Sequence, residues 1–317
     1  MTEAASVKFH AFSMNRRDHY KSGRIANEVK QSMNSKLHRL PSYARSDEVS
    51  VHGPCAVAGQ SGGLFMKLVL TVLAFSVTST GLAETARVAA ASDLRFAFDE
   101  LQPVFEKSHP PHRLELILGS SGKFMQQIEN GAPFDIFFSA DVSYPTKLVV
   151  SGKAVAPVTT YAFGRIVLWS AKVDASRLTL ANLTQPEFRR IAIAAPDHAP
   201  YGARAREALQ HSGVWNQVQP KLVFGENISH TAQLIDSQAA EVGIIALSLA
   251  VNDALKTKGG YFLIPADSHQ PLEQAFAVTT YGRNNPATQA LARFMRTPQA
   301  RQVMQRYGFS LPDEGKP

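Results

Sequence analysis

From residue 87 onward, short apolar runs alternate with stretches whose apolar residues recur every three to four positions. Arg87-Val88-Ala89-Ala90-Ala91 reads as a strand, and after Ser92-Asp93 the residues Leu94, Ala97, Phe98, Leu101 and Phe105 fall on one helical face. Leu114 to Leu118 reads as a second strand. It empties into Gly119-Ser120-Ser121-Gly122, and Phe124, Gln127 and Ile128 then mark a short helix stopped at Asn130-Gly131. Phe134 to Ser139 predicts a buried strand, and a helix follows to about Ser151, closed by Gly152. Pro103 falls inside the first helical pattern and predicts a bend there.

The alternation continues through the second half. Strands are predicted at 166–170, 191–194, 222–224, 242–245, 261–264 and 275–279. Helices are predicted at 203–212, around Ala232-Gln233-Leu234-Ile235, at 247–251, at 286–296 and at 298–307. A short helix is also expected near Asn182 to Pro186. Strands alternating with helices predict an α/β fold with mostly parallel strands. The chain carries no internal repeat and no low-complexity segment.

Four strand-to-helix junctions, at 92, 121, 201 and 228, share one design: an apolar strand ends in small or hydroxyl residues and a helix begins. Open α/β sheets bind ligands at such carboxyl ends. A helix start offers unpaired N–H groups and about half a positive charge, so two facing starts make an anion site without a cation. Any one of these junctions alone is explained as an ordinary N-cap, since Ser and Asp are preferred there.

Charge changes the picture mainly by where it lies. The 317-residue chain carries a formal +7, but residues 1–65 hold nine Lys/Arg against five Asp/Glu, and residues 84–317 hold 23 against 21. The near-neutral remainder argues against a nucleic-acid partner. Residues 66–83, MKLVLTVLAFSVTSTGLA, have a lysine, an apolar run from Leu68 to Val77, and small residues at Gly81 and Ala83. That is the pattern of a secretory signal peptide, too short in its apolar run for a membrane span. Translation is therefore expected to begin at Met66. Residues 1–65 are then a leader, either disordered or upstream of the true start. The only cysteine, Cys55, lies in that leader, which leaves residues 84–317 without a disulfide, a thiol nucleophile or a cysteine metal site.

Catalytic patterns are weak. Ser92, Asp93 and His198 could be assembled as a triad, but no Gly-x-Ser-x-Gly elbow surrounds a serine. The histidines at 109, 112, 198, 211, 230 and 269 form no His-x-x-x-His pair, so a zinc cluster is not expected. Gly119 to Lys123 lacks the spacing of a phosphate loop, and Asp135 and Asp141 read as loop anchors. Anion binding fits better, because neutral donors in a dry cleft avoid burying an unpaired cation. Donor-only surroundings cannot accept a ligand hydrogen, so a fully ionised dianion should be preferred over hydrogen phosphate. Asp93 is expected to offer its backbone N–H while its carboxylate caps the helix.

The runs Ala89-Ala90-Ala91-Ser92-Asp93-Leu94, Gly119-Ser120-Ser121-Gly122, Gln127 to Phe137 (QIENGAPFDIF) and Phe138-Ser139-Ala140-Asp141 resemble the periplasmic molybdate-binding proteins of ABC importers. Pro196 to Gly202 (PDHAPYG), Gly225-Glu226-Asn227-Ile228, Gly243-Ile244-Ile245 and Arg306-Tyr307-Gly308-Phe309 extend the likeness across residues 84–317 in order. The resemblance implies a two-lobed type II binding-protein fold, α/β in class, whose lobes close on molybdate or tungstate. It implies ligand contacts at Ser92, Ser121, Tyr201 and the backbone of Ile228. No cofactor is implied, and molybdenum enters only within its oxyanion, with no protein atom ligating the metal. Some members carry a tyrosine after the Gly-Ile-x strand where this chain has Ala246. The phenol of Tyr201 or the N–H of Asp93 is the candidate replacement.

Chain order then suggests lobe one from 84–164 plus 266–317 and lobe two from 165–265. The lobes would join near Gly164-Arg165 and Pro265–Pro271. The implied partners are the oxyanion and a membrane permease driven by a cytoplasmic ATPase, with the protein a periplasmic monomer. A carrier for sulfate or another oxyanion is the alternative within the same class, and a secreted serine hydrolase using Ser92 or Ser121 is the alternative outside it.

Overall fold

Alanine and β-branched residues lead from Thr85 directly into the middle of a sheet. In the computed structural model, which describes residues 84–314, strand β1 (Thr85–Ala91) pairs on both sides, parallel to β2 (Arg113–Gly119) and to β3 (Ile136–Ser139). The expectations for the leader and the signal segment lie outside the described residues. Two further strands, β4 (Ala154–Gly164) and β10 (Leu272–Thr279), complete a five-stranded sheet in the order β2-β1-β3-β10-β4. A second sheet comprises β5 (Ile166–Trp169), β6 (Ile191–Ala194), β7 (Leu222–Gly225), β8 (Val242–Ala246) and β9 (Tyr261–Leu263). Its order is β7-β6-β8-β5-β9.

The longer helices are α1 (Arg95–Ser108), α2 (Ser121–Glu129), α3 (Ser143–Val150), α4 (Pro200–His211), α5 (Ile228–Asp236), α6 (Pro286–Phe294) and α7 (Pro298–Arg306). Side chains alternate across a strand, so the first sheet sorts its residues onto two faces. Val88, Ala90, Ile136 and Phe138 join Phe98, Phe105, Leu291 and Phe294 in one core. Ala89 and Phe137 face the other way and join Phe124, Phe134 and Leu148. Phe98 meets Phe138 edge-on with ring centroids 5.3 Å apart. Emptying such a fully buried ring position costs roughly 3–5 kcal/mol. Ile166, Leu168, Ile191, Ile193, Ile244 and Trp169 form the core of the second sheet, all wholly buried.

The strands are not mostly parallel. Four strand pairs are parallel and four antiparallel, because β10 runs against β3 and β4, and β5 runs against β8 and β9. These antiparallel strands are the ones that carry the chain between the sheets. Only Arg165 separates β4 from β5, and residues 264–271 return the chain from β9 to β10. The 11-residue β4 has no clear counterpart in the hydrophobic pattern, which singles out only Phe163-Gly164-Arg165 before β5. Its sequence, AVAPVTTYAFG, contains Pro157, and a proline within a run argues against a central strand. β4 is an edge strand of its sheet, where proline is tolerated. Helix α4 begins at Pro200, three residues before the predicted start, with proline in its first turn, where the missing N–H costs nothing. Tyr201 therefore sits on a helix rather than in a loop.

Candidate functional site

Each of the four junctions lies at the carboxyl end of a strand. β1 runs into a 3-10 turn, Ser92–Leu94, that leads to α1; β2 runs through Ser120 into α2; β6 runs through residues 195–199 into α4; and β7 runs through Glu226-Asn227 into α5. The first two belong to one sheet and the last two to the other. They converge on one small cavity, lined among others by Ser92, Asp93, Ser121, Tyr201 and Ile228. All five residues singled out from the sequence are therefore brought together, and each is at least 96% buried. A larger hollow beside Phe96 and Leu255 takes in only two of these helix starts, at Arg95 of α1 and Ser229 of α5.

The donors in the cavity are neutral. Ser121 is the first residue of α2, and its N–H lies in the first turn, where no intrahelical acceptor exists. Its Oγ accepts the backbone N–H of Ala140 at 3.0 Å, which leaves the hydroxyl hydrogen to point elsewhere. Ile228 opens α5, and Tyr201 is the second residue of α4. Neither the Ser92–Leu94 turn, nor α2, nor α4 has a side chain capping its start. Asn227 does cap α5, accepting from His230 N–H at 2.9 Å. No Lys, Arg or His lines the cavity. Outside the cavity lining, the half-exposed Lys123 pairs with Glu226 at 2.6 Å. Burial first, and the Lys123 charge next, hold the His198 ring below its usual value, so it is neutral at pH 7.

Side chains join the two sheets around this cavity. Ser92 Oγ donates to Asn227 Oδ1 at 3.0 Å and accepts Ser229 N–H at 3.2 Å, while Ser229 Oγ donates to the Ser92 carbonyl at 2.7 Å. Gly122 N–H donates to the His198 carbonyl at 2.9 Å, and Ser120 Oγ contacts both that carbonyl and, at 2.9 Å, His198 Nδ1. Arg204 bridges Glu207 at 2.5 Å and Asp141 at 3.4 Å. No hydrogen bond joins Ser92 to His198, so the triad considered from the sequence is not assembled.

Asp93 departs from expectation. Its carboxylate caps no helix start. Oδ2 instead accepts Tyr201 Oη–H at 2.9 Å and Gln274 Nε2–H at 2.7 Å, and Oδ1 is buried with no hydrogen-bond partner. Burial raises the Asp93 carboxyl to about 6, against hydrogen bonds from Gln274, Tyr201 and its own backbone N–H, which lower it. The physical reason is competition. Two donors from other elements, Tyr201 Oη and Gln274 Nε2, claim the carboxylate before it can cap the turn. Tyr201 thereby spends its single hydroxyl hydrogen on Asp93. Of the two candidate replacements for the tyrosine absent at Ala246, the Tyr201 phenol is therefore already engaged. Ala246 is wholly buried at the end of β8 and does not line the cavity.

The sequence reading missed Asn227, Ser120, Gln274 and Ser248, whose Oγ donates to the Asp93 carbonyl at 2.8 Å. Gln274 sits on β10, 181 residues from Asp93, and no local pattern marks it. Asn227 had a signal: an Asn before a helix three residues from a strand end is a standard cap position. Among the described residues no group of three His, Cys, Asp or Glu could hold a metal ion, and no helix is long and apolar enough to cross a membrane.

Comparison with known proteins agrees with this geometry. The profile of the bacterial extracellular solute-binding protein family matches residues 86–310. A molybdate-binding protein of Azotobacter vinelandii is 35% identical over 246 residues, spanning 77% of this chain and 97% of the relative. Its counterpart in Rhodobacter capsulatus is 37% identical over 202 residues, 62% of this chain and 77% of the relative. The solved Azotobacter vinelandii periplasmic molybdate-binding protein superposes with a TM-score of 0.67 at 32% identity, covering 72% of this chain and 99% of that one. Two sheets joined by two crossings, with helix starts from both facing one cavity, make a two-lobed type II fold. The chain belongs to the bacterial extracellular solute-binding protein family, in the group that contains these molybdate-binding proteins.

Proposed function

We propose that this protein captures molybdate, and tungstate with it, between its lobes and delivers it to a membrane permease driven by a cytoplasmic ATPase. The carrying observation is the cavity at Ser92, Ser121, Tyr201 and Ile228, where neutral donors from four strand ends converge without a cation. The assigned contacts are the Ser121 hydroxyl, the N–H groups of Asp93, Ser121, Tyr201 and Ile228, and the Ser92 hydroxyl, whose hydrogen turns from Asn227 Oδ1 to the ligand on binding. A tetrahedral dianion satisfies these donors, and its oxygens replace the caps that three helix starts lack. Lobe one comprises 84–164 and 266–317, lobe two 165–265, with Gly164-Arg165 and Pro265–Pro271 as the crossings. Residues 66–83 direct export, and the protein works as a periplasmic monomer with no bound cofactor.

Closure on the ligand selects the conformation that the permease recognises, a population shift set by differential affinity. Thermal unfolding tests this reading. A ligand that binds only the folded state at a hundred times its Kd adds about 2.7 kcal/mol of stability. Molybdate and tungstate should raise Tm and phosphate should not. An unchanged Tm with both metal oxyanions would refute the assignment.

A further inference from the structure

We propose that Asp93 enters the oxyanion complex as a neutral carboxylic acid, protonated on Oδ1, so that the protein takes up one proton with each dianion it binds. This rests on the function proposed above and deepens it: the site removes a like charge by taking up a proton, and gains one more neutral donor.

The geometry assigns the proton to one atom. Oδ2 already accepts two hydrogen bonds, from Tyr201 Oη at 2.9 Å and from Gln274 Nε2 at 2.7 Å. Gln274 Nε2 also donates to Tyr201 Oη at 3.0 Å, while its Oε1 accepts Tyr161 Oη–H at 2.8 Å, so the network behind Oδ2 is closed. Oδ1 is buried and has no partner, and Asp93 lines the cavity at 1% exposure. An ionised Oδ1 would hold a bare lone pair beside a dianion in a site that water cannot screen, a costly arrangement. A protonated Oδ1 turns the same atom into a hydrogen-bond donor and removes the like charge.

The surroundings favour that state. The titratable groups that face the carboxyl are Tyr201 from α4 and Tyr161 from β4, both pushed well above the usual phenol value by burial and uncharged at pH 8. Gln274 from β10 and the Ser248 hydroxyl, on the turn after β8, are neutral. Without ligand, burial holds the Asp93 carboxyl at about 6. A dianion in the cavity raises it further, because a nearby like charge disfavours the ionised form. Between those two values the free protein is ionised and the complex is not. The proton comes from solvent or buffer, whose conjugate base is released, and molybdate itself is already fully ionised at pH 7. The sign follows: affinity is flat below about pH 6, falls by about tenfold per pH unit between that value and the raised one of the complex, and is flat again above it.

The test is calorimetric titration of the whole protein with sodium molybdate at pH 8, in two buffers of different ionisation enthalpy, compared with Asp93→Asn. Asparagine reproduces the pattern of a protonated aspartate, with one oxygen for Tyr201 and Gln274 and one N–H donor for the ligand. The native protein should take up close to one proton per molybdate. Asp93→Asn should take up none, lose the pH slope, and bind roughly ten- to a hundredfold more tightly than the native protein at pH 8. A protonated-carboxyl C=O band should grow in the native infrared difference spectrum on adding molybdate and be missing from the variant. Molybdate binding with no proton uptake and no pH slope, or uptake that persists in Asp93→Asn, would overturn this inference and leave the proposed function standing. Absence of molybdate binding at every pH would overturn the proposed function itself. The native buffer comparison and infrared band decide the matter even where the variant fails to fold.

Discussion

The hydroxyl of Ser121 accepts the backbone N–H of Ala140 at 3.0 Å, a buried contact that ties the first residue of α2 to the end of β3. With one lone pair engaged there, the Ser121 hydrogen is free for the cavity. Ser121→Ala should therefore have two effects. Molybdate affinity should fall by about 1–3 kcal/mol, the cost of one hydrogen bond to a charged acceptor, and the stranded Ala140 N–H should lower stability by a similar amount. Calorimetry and denaturant unfolding measure the two separately.

Ser92 is tied to the opposite sheet instead. It bonds Asn227 and Ser229 across the cavity, and all three bonds link segments about 135 residues apart. Ser92→Ala should weaken molybdate by about 1–3 kcal/mol. Unchanged affinity in both Ser92→Ala and Ser121→Ala would place the ligand elsewhere.

Gly122 lies where α2 meets the 195–199 loop. A Cβ there would stand 2.7 Å from the His198 carbonyl oxygen and 2.9 Å from its Cα, both backbone atoms that cannot rotate away. Gly122→Ala should wedge the two sheets' helix starts apart and weaken molybdate by about 1–3 kcal/mol, as overpacking does. The ligand-free protein can relieve the clash by opening, and alanine is the better helix former by about 1 kcal/mol. Its unfolding midpoint should hold or rise. A loss of stability equal to the loss of affinity would contradict this.

The Lys123–Glu226 pair is half exposed and joins α2 to the turn before α5. Exposed pairs contribute about 0–1 kcal/mol and are screened by salt. Glu226→Gln should change affinity by less than tenfold, and the change should fade at 1 M salt. A larger, salt-independent effect would mean that Lys123 reaches the anion directly.

How far the sequence led depends on how local each feature is. Ser92-Asp93 and Gly119-Ser120-Ser121-Gly122 could be read because a strand end, a small hydroxyl residue and a helix start are adjacent in the chain. The convergence of four such junctions followed from the rule that α/β sheets present ligands at their carboxyl ends. What escaped notice depends on partners far apart. Asp93 binds Tyr201, 108 residues away, and Gln274, 181 away, and no periodicity records such a meeting. β4 was hidden differently: Pro157 argues locally against a strand, and only its place at the sheet edge makes that tolerable. The mixed direction of the strands likewise arises from the two crossings, which no single segment reveals.

Whether neutral donors at Ser92, Ser121, Tyr201 and Ile228 hold molybdate is decided by calorimetric titration of the purified protein with molybdate, tungstate, sulfate and phosphate under one set of conditions. One site per chain should take molybdate and tungstate tightly, sulfate far more weakly, and phosphate not measurably. Sulfate binding as tight as molybdate, or no heat with molybdate, would contradict it.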